Sequence, residues 1–197
     1  MALTPYAKTG RLTRRAVVAG LVMSLPAAAL AGDPHPALIF MQKVAKDMLN
    51  AHRQGTIASF KRAILRHADV PGIADYSLGQ YREKLNPAQK PLYDEGVATF
   101  MSRYFADQSR QYPVAKYEIG EAAAADNNEV NVDTKVFLMS GETYTVVWRL
   151  GWKGGAYKVI DAKVLGFSLV YLQRGIFTSY LAKRNGDVGQ LVTALNR

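Results

Sequence analysis

The 197-residue sequence contains no cysteine. That absence excludes a disulfide framework, a zinc–thiolate site, an iron–sulfur cluster and a thiol nucleophile together. No basic run exceeds two residues, and no basic–aromatic interleaving of the kind that stacks bases is present. Nucleic acid is therefore not an expected partner. The three histidines, His35, His52 and His67, lack the spacing of a helix-borne metal site, and exposed or boundary positions are expected for them. Gly166-Phe167-Ser168 has Val170 where a nucleophile elbow needs its second glycine. Gly154-Gly155 lacks the pattern of a phosphate loop and reads as a hairpin turn. Asp126, Glu129 and Asp133 do not follow the order of a calcium loop and read as a solvated turn and strand face. There is no internal repeat and no low-complexity tract.

A long hydrophobic run is also missing. The uncharged stretch from Ala16 to Leu30 falls short of the roughly 20 residues a membrane span requires, and Pro26 interrupts it. What precedes it is informative: Lys8, Arg11, Arg14 and Arg15 with no acid, and what ends it is Ala29-Leu30-Ala31. This three-part pattern predicts a secretory signal peptide over residues 1–31, cleaved after Ala31, and a single domain over 32–197. Arg14-Arg15 after Thr13, with Val17 and Val18 following, resembles a twin-arginine export signal, although ordinary leaders also carry Arg pairs. The whole chain has 25 basic and 16 acidic residues, net +9; without the four leader cations the net is 25 − 4 − 16 = +5. A weakly positive exported protein is drawn toward anionic lipid surfaces or acidic partners.

Almost half of the chain, 49%, is hydrophobic, which excludes a wholly disordered polypeptide. Pro36 opens a helix with Leu38, Met41, Ala45, Met48 and Leu49 on one stripe. Ile57, Phe60, Ile64 and Leu65 mark a second helix, which Asp69-Val70-Pro71-Gly72 is expected to break. Ile73 to Arg82 reads as short helical turns. Asn86-Pro87 then starts a helix through Leu92, Val97, Phe100, Met101, Tyr104 and Phe105 that Pro113 stops. From Tyr117 the period becomes two. Strands are expected at Tyr117–Ala122, Glu129–Met139, Tyr144–Leu150 and Tyr157–Val164, with turns at Asp126-Asn127-Asn128, Ser140-Gly141 and Gly154-Gly155. Helical spacing returns at Leu169, Leu172, Ile176, Phe177 and Tyr180, and again over Val188–Leu195. Helices, four consecutive strands with short turns, then helices predict an α+β domain: a four-stranded antiparallel meander packed with N- and C-terminal helices.

The third strand is apolar on both sides, Val147 alternating with Trp148, so the sheet is either covered twice or walls a cavity. Eleven Tyr and seven Phe fit a packed core and fit equally a buried apolar ligand site.

Val147-Trp148-Arg149-Leu150, Tyr157-Lys158-Val159-Ile160-Asp161, Gly166-Phe167-Ser168-Leu169-Val170, Gln173-Arg174 and Phe177 together resemble the MlaC family, the toluene-tolerance auxiliary component. Phe60, Asp75-Tyr76, Leu78-Gly79-Gln80-Tyr81-Arg82 and Tyr104 resemble its helical half. The likeness spans Leu38 to Leu195. Departures are Leu165, where the family more often has an acid, and Phe167, where it usually has Val. Gln173-Arg174-Gly175-Ile176-Phe177 is closer to the branch linked with hopanoid export. The resemblance implies a periplasmic phospholipid carrier with no catalysis and no cofactor, its lipid being cargo. It also implies a twisted antiparallel sheet and helices around a pocket for acyl chains. Implied partners are an outer-membrane lipoprotein–porin complex and an inner-membrane ABC transporter with an MCE-domain ring. At about 0.8 kcal/mol per methylene, roughly 30 methylenes in two tails cost above ~20 kcal/mol to expose to water, so a carrier must cover them.

Alternation and helix faces select a pocket wall. It comprises Leu78, Tyr81, Phe100 and Tyr104 from helices and Val132, Val136, Tyr144, Val146, Trp148 and Val159 from strands, with Phe167 and Val170 closing one end. Arg82, Arg149 and Arg174 are rim candidates for phosphate or for docking; Arg149 is equally suited to an ion pair with Asp161. Two other classes fit the pattern. An NTF2-like isomerase would need Asp161, with Tyr144 or Tyr157, buried beside a cavity without a cation. A periplasmic adaptor would have a filled core and carry no lipid.

Overall fold

The computed structural model describes residues 35–124 and 128–197. The expected leader and the turn residues Asp126 and Asn127 lie outside them. Helix α1, Pro36–Gln54, begins where Pro36 supplies a first-turn φ and His35 Nδ1 accepts from the Ala37 amide at 3.2 Å. It ends at Gly55, whose φ of 63° closes the helix in the left-handed conformation. Helix α2, Ile57–His67, is capped by Thr56 accepting from the Ser59 amide.

Asp69-Val70-Pro71-Gly72 starts a helix and does not merely break one. Asp69 accepts from the Gly72 amide at 3.2 Å and caps α3, Val70–Leu78. The same four residues that signal a turn thus serve as cap and first turn, where proline lacks no needed donor. A 3₁₀ segment, Gly79–Lys84, follows. Asn86 caps a further 3₁₀ turn at Pro87–Gln89 before α4, Lys90–Gln111.

The sheet follows as a meander in the order β1-β2-β3-β4-β5: Val114–Ala124, Val130–Leu138, Thr143–Lys153, Ala156–Val164 and Phe167–Ser168. All neighbours pair antiparallel. The sheet has five strands and not the four expected. The fifth is two residues long, too short for alternation to register, and is formed by a turn in which Leu165 and Gly166 have φ of 52° and 85°. Ser168 then accepts from the Tyr171 amide and caps α5, Leu169–Ala182; α6, Val188–Leu195, completes the chain. Among the described residues, no helix is long and apolar enough to cross a membrane.

Apolar residues segregate into two main bodies. One lies between helices: Ile73, Ala74 and Leu78 of α3, Tyr93 and Val97 of α4, Phe177 and Leu181 of α5, and Leu191 and Val192 of α6. The close approach of α4 to α6 requires Gly96, because a Cβ there would stand 2.7 Å from Leu195 Cβ. The other body lies on one face of the sheet, partly under α1.

Candidate functional site

Register fixes which side chains share the sheet's inner face, since directly paired residues point the same way. Val130 faces Leu150, Val132 faces Trp148, Thr134 faces Val146 and Val136 faces Tyr144. On the other side of β3, Trp148 faces Ala162 and Val146 faces Val164. Helix α1 covers one end of this face, placing Ala37, Met41 and Val44 on Val130, Val132, Leu150 and Val159. Beyond α1, Val136, Leu138, Val146 and Ala162 form a second cluster, bordered by half-buried Tyr144, Trp148, Val164 and Leu169. Burial, with Tyr104 of α4 nearby as a smaller influence, pushes the Tyr144 phenol above its ordinary pKa.

This apolar face carries two buried polar atoms without a partner among the described residues, Thr134 Oγ1 and Trp148 Nε1. Thr134 is only 3% exposed. A buried donor or acceptor left unmade costs about 1–3 kcal/mol, so two on adjacent strands need a reason. The third unpaired buried atom, Asn131 Oδ1, belongs to a residue that faces Arg149 in the register, on the opposite side of the sheet.

The structure brings Val132, Val136, Tyr144, Val146, Trp148 and Val159 onto this one face. Tyr104 reaches it from α4 while remaining 43% exposed. It does not bring the other helical candidates there. Leu78 is fully buried among α3–α6, and Tyr81, Phe100 and Val170 pack against that same helical body. Phe100 meets Phe177 edge-on at 5.1 Å. Phe167 is 66% exposed on the short fifth strand.

The three arginines are not gathered at one rim. Arg82 pairs with Asp75 at 3.3 Å, and the Arg174 guanidinium stacks over Tyr76 at 4.8 Å. Arg149 projects from the opposite face of the sheet and donates through Nε and Nη2 to Glu129 at 3.1 and 2.8 Å, with Asp161 at 3.7 Å. Glu129, read from sequence as solvated, is thus an ion-pair partner. Asp161 accepts from the Ala162 and Val170 amides at 2.8 and 3.2 Å, holding the first turn of α5. With a cation beside it, Asp161 does not meet the condition that an acid–base role requires. It lines a surface groove of about 380 Å³ with Asp69, Tyr76, Arg149, Lys153 and Lys163. Ile73, Ile160, Val170 and Tyr171 also line it, so the groove is mixed in character.

The histidines are more structural than expected. His67 is buried against Asp47 at 2.8 Å, and His52 Nε2 accepts from the Val114 amide at 2.9 Å, tying α1 to the start of β1. Among the described residues, no cluster of His, Asp and Glu has the arrangement of a metal site. Sequence reasoning passed over Thr134, although its place between Val132 and Val136 carried the signal: a polar residue in phase with a buried apolar row.

One face of a meander, floored by valines and roofed in part by a helix, suits long apolar ligands. Comparison with known proteins bears on this arrangement. A solved phospholipid-binding protein from Ralstonia solanacearum, in complex with a phospholipid, superposes with a TM-score of 0.67 at 22% identity, covering 82% of this chain and 96% of that one. That likeness establishes the shared α+β fold. No curated protein matches the chain. The profile of the family described as MlaC protein matches residues 37–197, and the chain therefore belongs to the MlaC family.

Proposed function

We propose that the protein is a periplasmic lipid carrier that holds a phospholipid with its acyl tails against the inner face of the sheet. It would pass that lipid between an outer-membrane lipoprotein–porin complex and the MCE-domain ring of an inner-membrane ABC transporter, helping to keep the outer membrane's lipids asymmetric. The observation that carries the reading is the largely apolar face of Val132, Val136, Tyr144, Val146 and Trp148, interrupted by Thr134 and only partly roofed by α1. Family membership and the phospholipid in the Ralstonia structure support it. An exported chain with the expected leader would meet its partners in the periplasm. Apolar tails are sequestered because exposing them is costly, whereas the headgroup stays in water, where its charge needs no buried partner. Leu165, Phe167, Tyr171, Leu172 and Ile176 are exposed along the fifth strand and α5; an apolar strip of this kind suits transient docking to a partner during transfer.

Native mass spectrometry of the protein purified from a bacterial periplasm, with solvent extraction of its cargo, tests the proposal. A two-chain lipid at near one-to-one stoichiometry is the expected result, and its identity decides between phospholipid and hopanoid-type cargo. Val146→Gln, which sets an amide on the wall, should lower occupancy in a folded protein. A lipid-free mass that persists after incubation with phospholipid vesicles would overturn the carrier reading and favour a periplasmic adaptor.

A further inference from the structure

Thr134 and Trp148 sit on neighbouring strands of the same face, one step apart diagonally: Thr134 faces Val146, and Trp148 faces Val132. Diagonal neighbours across an antiparallel pair lie within reach of each other when one is aromatic. Both polar atoms are shielded from solvent and lack a partner among the described residues, although the strand amides around them are paired in the sheet. The indole N–H is a donor only, and the threonine hydroxyl donates or accepts. Their neighbours on β2 and β3 are Val132, Val136, Val146 and Tyr144; the Tyr144 hydroxyl is the polar group among these four, and it bonds to neither atom.

We propose that this pair is an anchor for an acyl-ester carbonyl, and that the carrier therefore selects ester-linked lipids over lipids with plain hydrocarbon or ether linkages. The inference rests on the carrier reading above and specifies the chemistry of its cargo. A carbonyl oxygen has two lone pairs and takes one hydrogen bond from Trp148 Nε1 and one from the Thr134 hydroxyl. The ester stands where a diacyl lipid changes from apolar tail to polar backbone. Anchoring that junction would fix how deep the tails insert, independently of headgroup identity. A bridging water is the competing occupant. It would satisfy the same two groups but give no preference between linkages.

The delipidated protein is incubated with vesicles containing equal amounts of a diacyl phosphatidylglycerol and its dialkyl-ether analogue of matched chain length, and the bound lipids are extracted and quantified. Loss of one neutral hydrogen bond corresponds to about fivefold in affinity, so the wild type should favour the diester by about that factor or more. Thr134→Val and Trp148→Phe should each bring the diester-to-diether ratio toward one, whatever the change in total bound lipid, and Thr134→Ser should keep the preference. Equal uptake of both lipids by the wild type, or an unchanged preference in both Thr134→Val and Trp148→Phe, overturns the anchor and leaves the carrier reading standing. Uptake of neither lipid overturns both.

Discussion

The two apolar bodies of this molecule treat buried polar groups differently. Between the helices the buried side chains of the described residues find partners: Ser77 donates to the Ile73 carbonyl, Gln173 donates to Ser77 at 2.8 Å, Tyr93 donates to the Ala74 carbonyl at 2.9 Å, and Ser102 donates to the Ala98 carbonyl. Burial pushes the Tyr93 phenol far above its ordinary pKa, so it stays a neutral donor. On the sheet face, Thr134 and Trp148 have no such partners among the described residues. A body that exists to stabilise the fold closes its hydrogen bonds, because each open one subtracts from a small net stability. On the carrier reading proposed above, the sheet face leaves two of them for the lipid to complete.

The comparison is broken most directly from the helical side. Phe177→Ala should cost about 3–5 kcal/mol in urea unfolding, yet molecules that remain folded should carry as much lipid as the wild type. Loss of lipid from the folded fraction would show that the helical body also forms the site, as Leu78, Tyr81 and Phe100 were expected to do.

A sharper contrast comes from two similar polar deletions. Ser77→Ala strands the Gln173 amide inside the helical body and should cost about 1–3 kcal/mol. Thr134→Val removes a hydroxyl that has no protein partner and should leave delipidated stability unchanged or raise it by about 1 kcal/mol. Equal losses from both, in matched urea titrations, would remove the distinction between the two bodies.

Smaller effects are expected where the regions meet solvent and each other. Leu165 is an exposed residue at φ 52°, a conformation that Asn tolerates better, so Leu165→Asn should stabilise by up to about 1 kcal/mol. The joint between α1 and β1 should be pH-sensitive. Burial holds His52 below its ordinary 6.5, and only its neutral form accepts from Val114. A depressed folded value means that this contribution is complete above the unfolded pKa and is lost as pH falls through the lower folded one. His52→Gln, which can still accept, should flatten the stability profile below about pH 6.5; an unchanged slope would place the sensitivity elsewhere.

Much of the architecture was legible because it rests on local signals. Gly154-Gly155 and the alternation of Val130, Val132, Val136 and Leu138 each act over a few residues, and the corresponding turn and strand formed as expected; Asn86-Pro87, expected to open the long helix, instead caps a 3₁₀ turn three residues ahead of it. The candidate wall was legible only in part. A helix presents several partly apolar stripes, and Phe100 turned toward Phe177 of α5, a partner 77 positions away. Tyr104, only four residues on, lies beside Tyr144. Helical spacing alone does not say which neighbour each stripe meets.

By itself, then, the sequence determined the order of elements, the α+β class, the absence of thiol chemistry and the apolar character of the central strands, since composition and period express short-range physics. The tertiary structure alone decided the sides. A bulge sets Asp161 opposite Arg149 while Val159 stands opposite Leu150. That extra residue sends the valine into the apolar face and the carboxylate to the other, although simple alternation puts both on one side. Pairing across strands likewise turned Thr134 from a gap in a row of valines into the neighbour of Trp148. A register is a long-range choice, made by the combined burial of several strands and a covering helix, and no short window of sequence contains it.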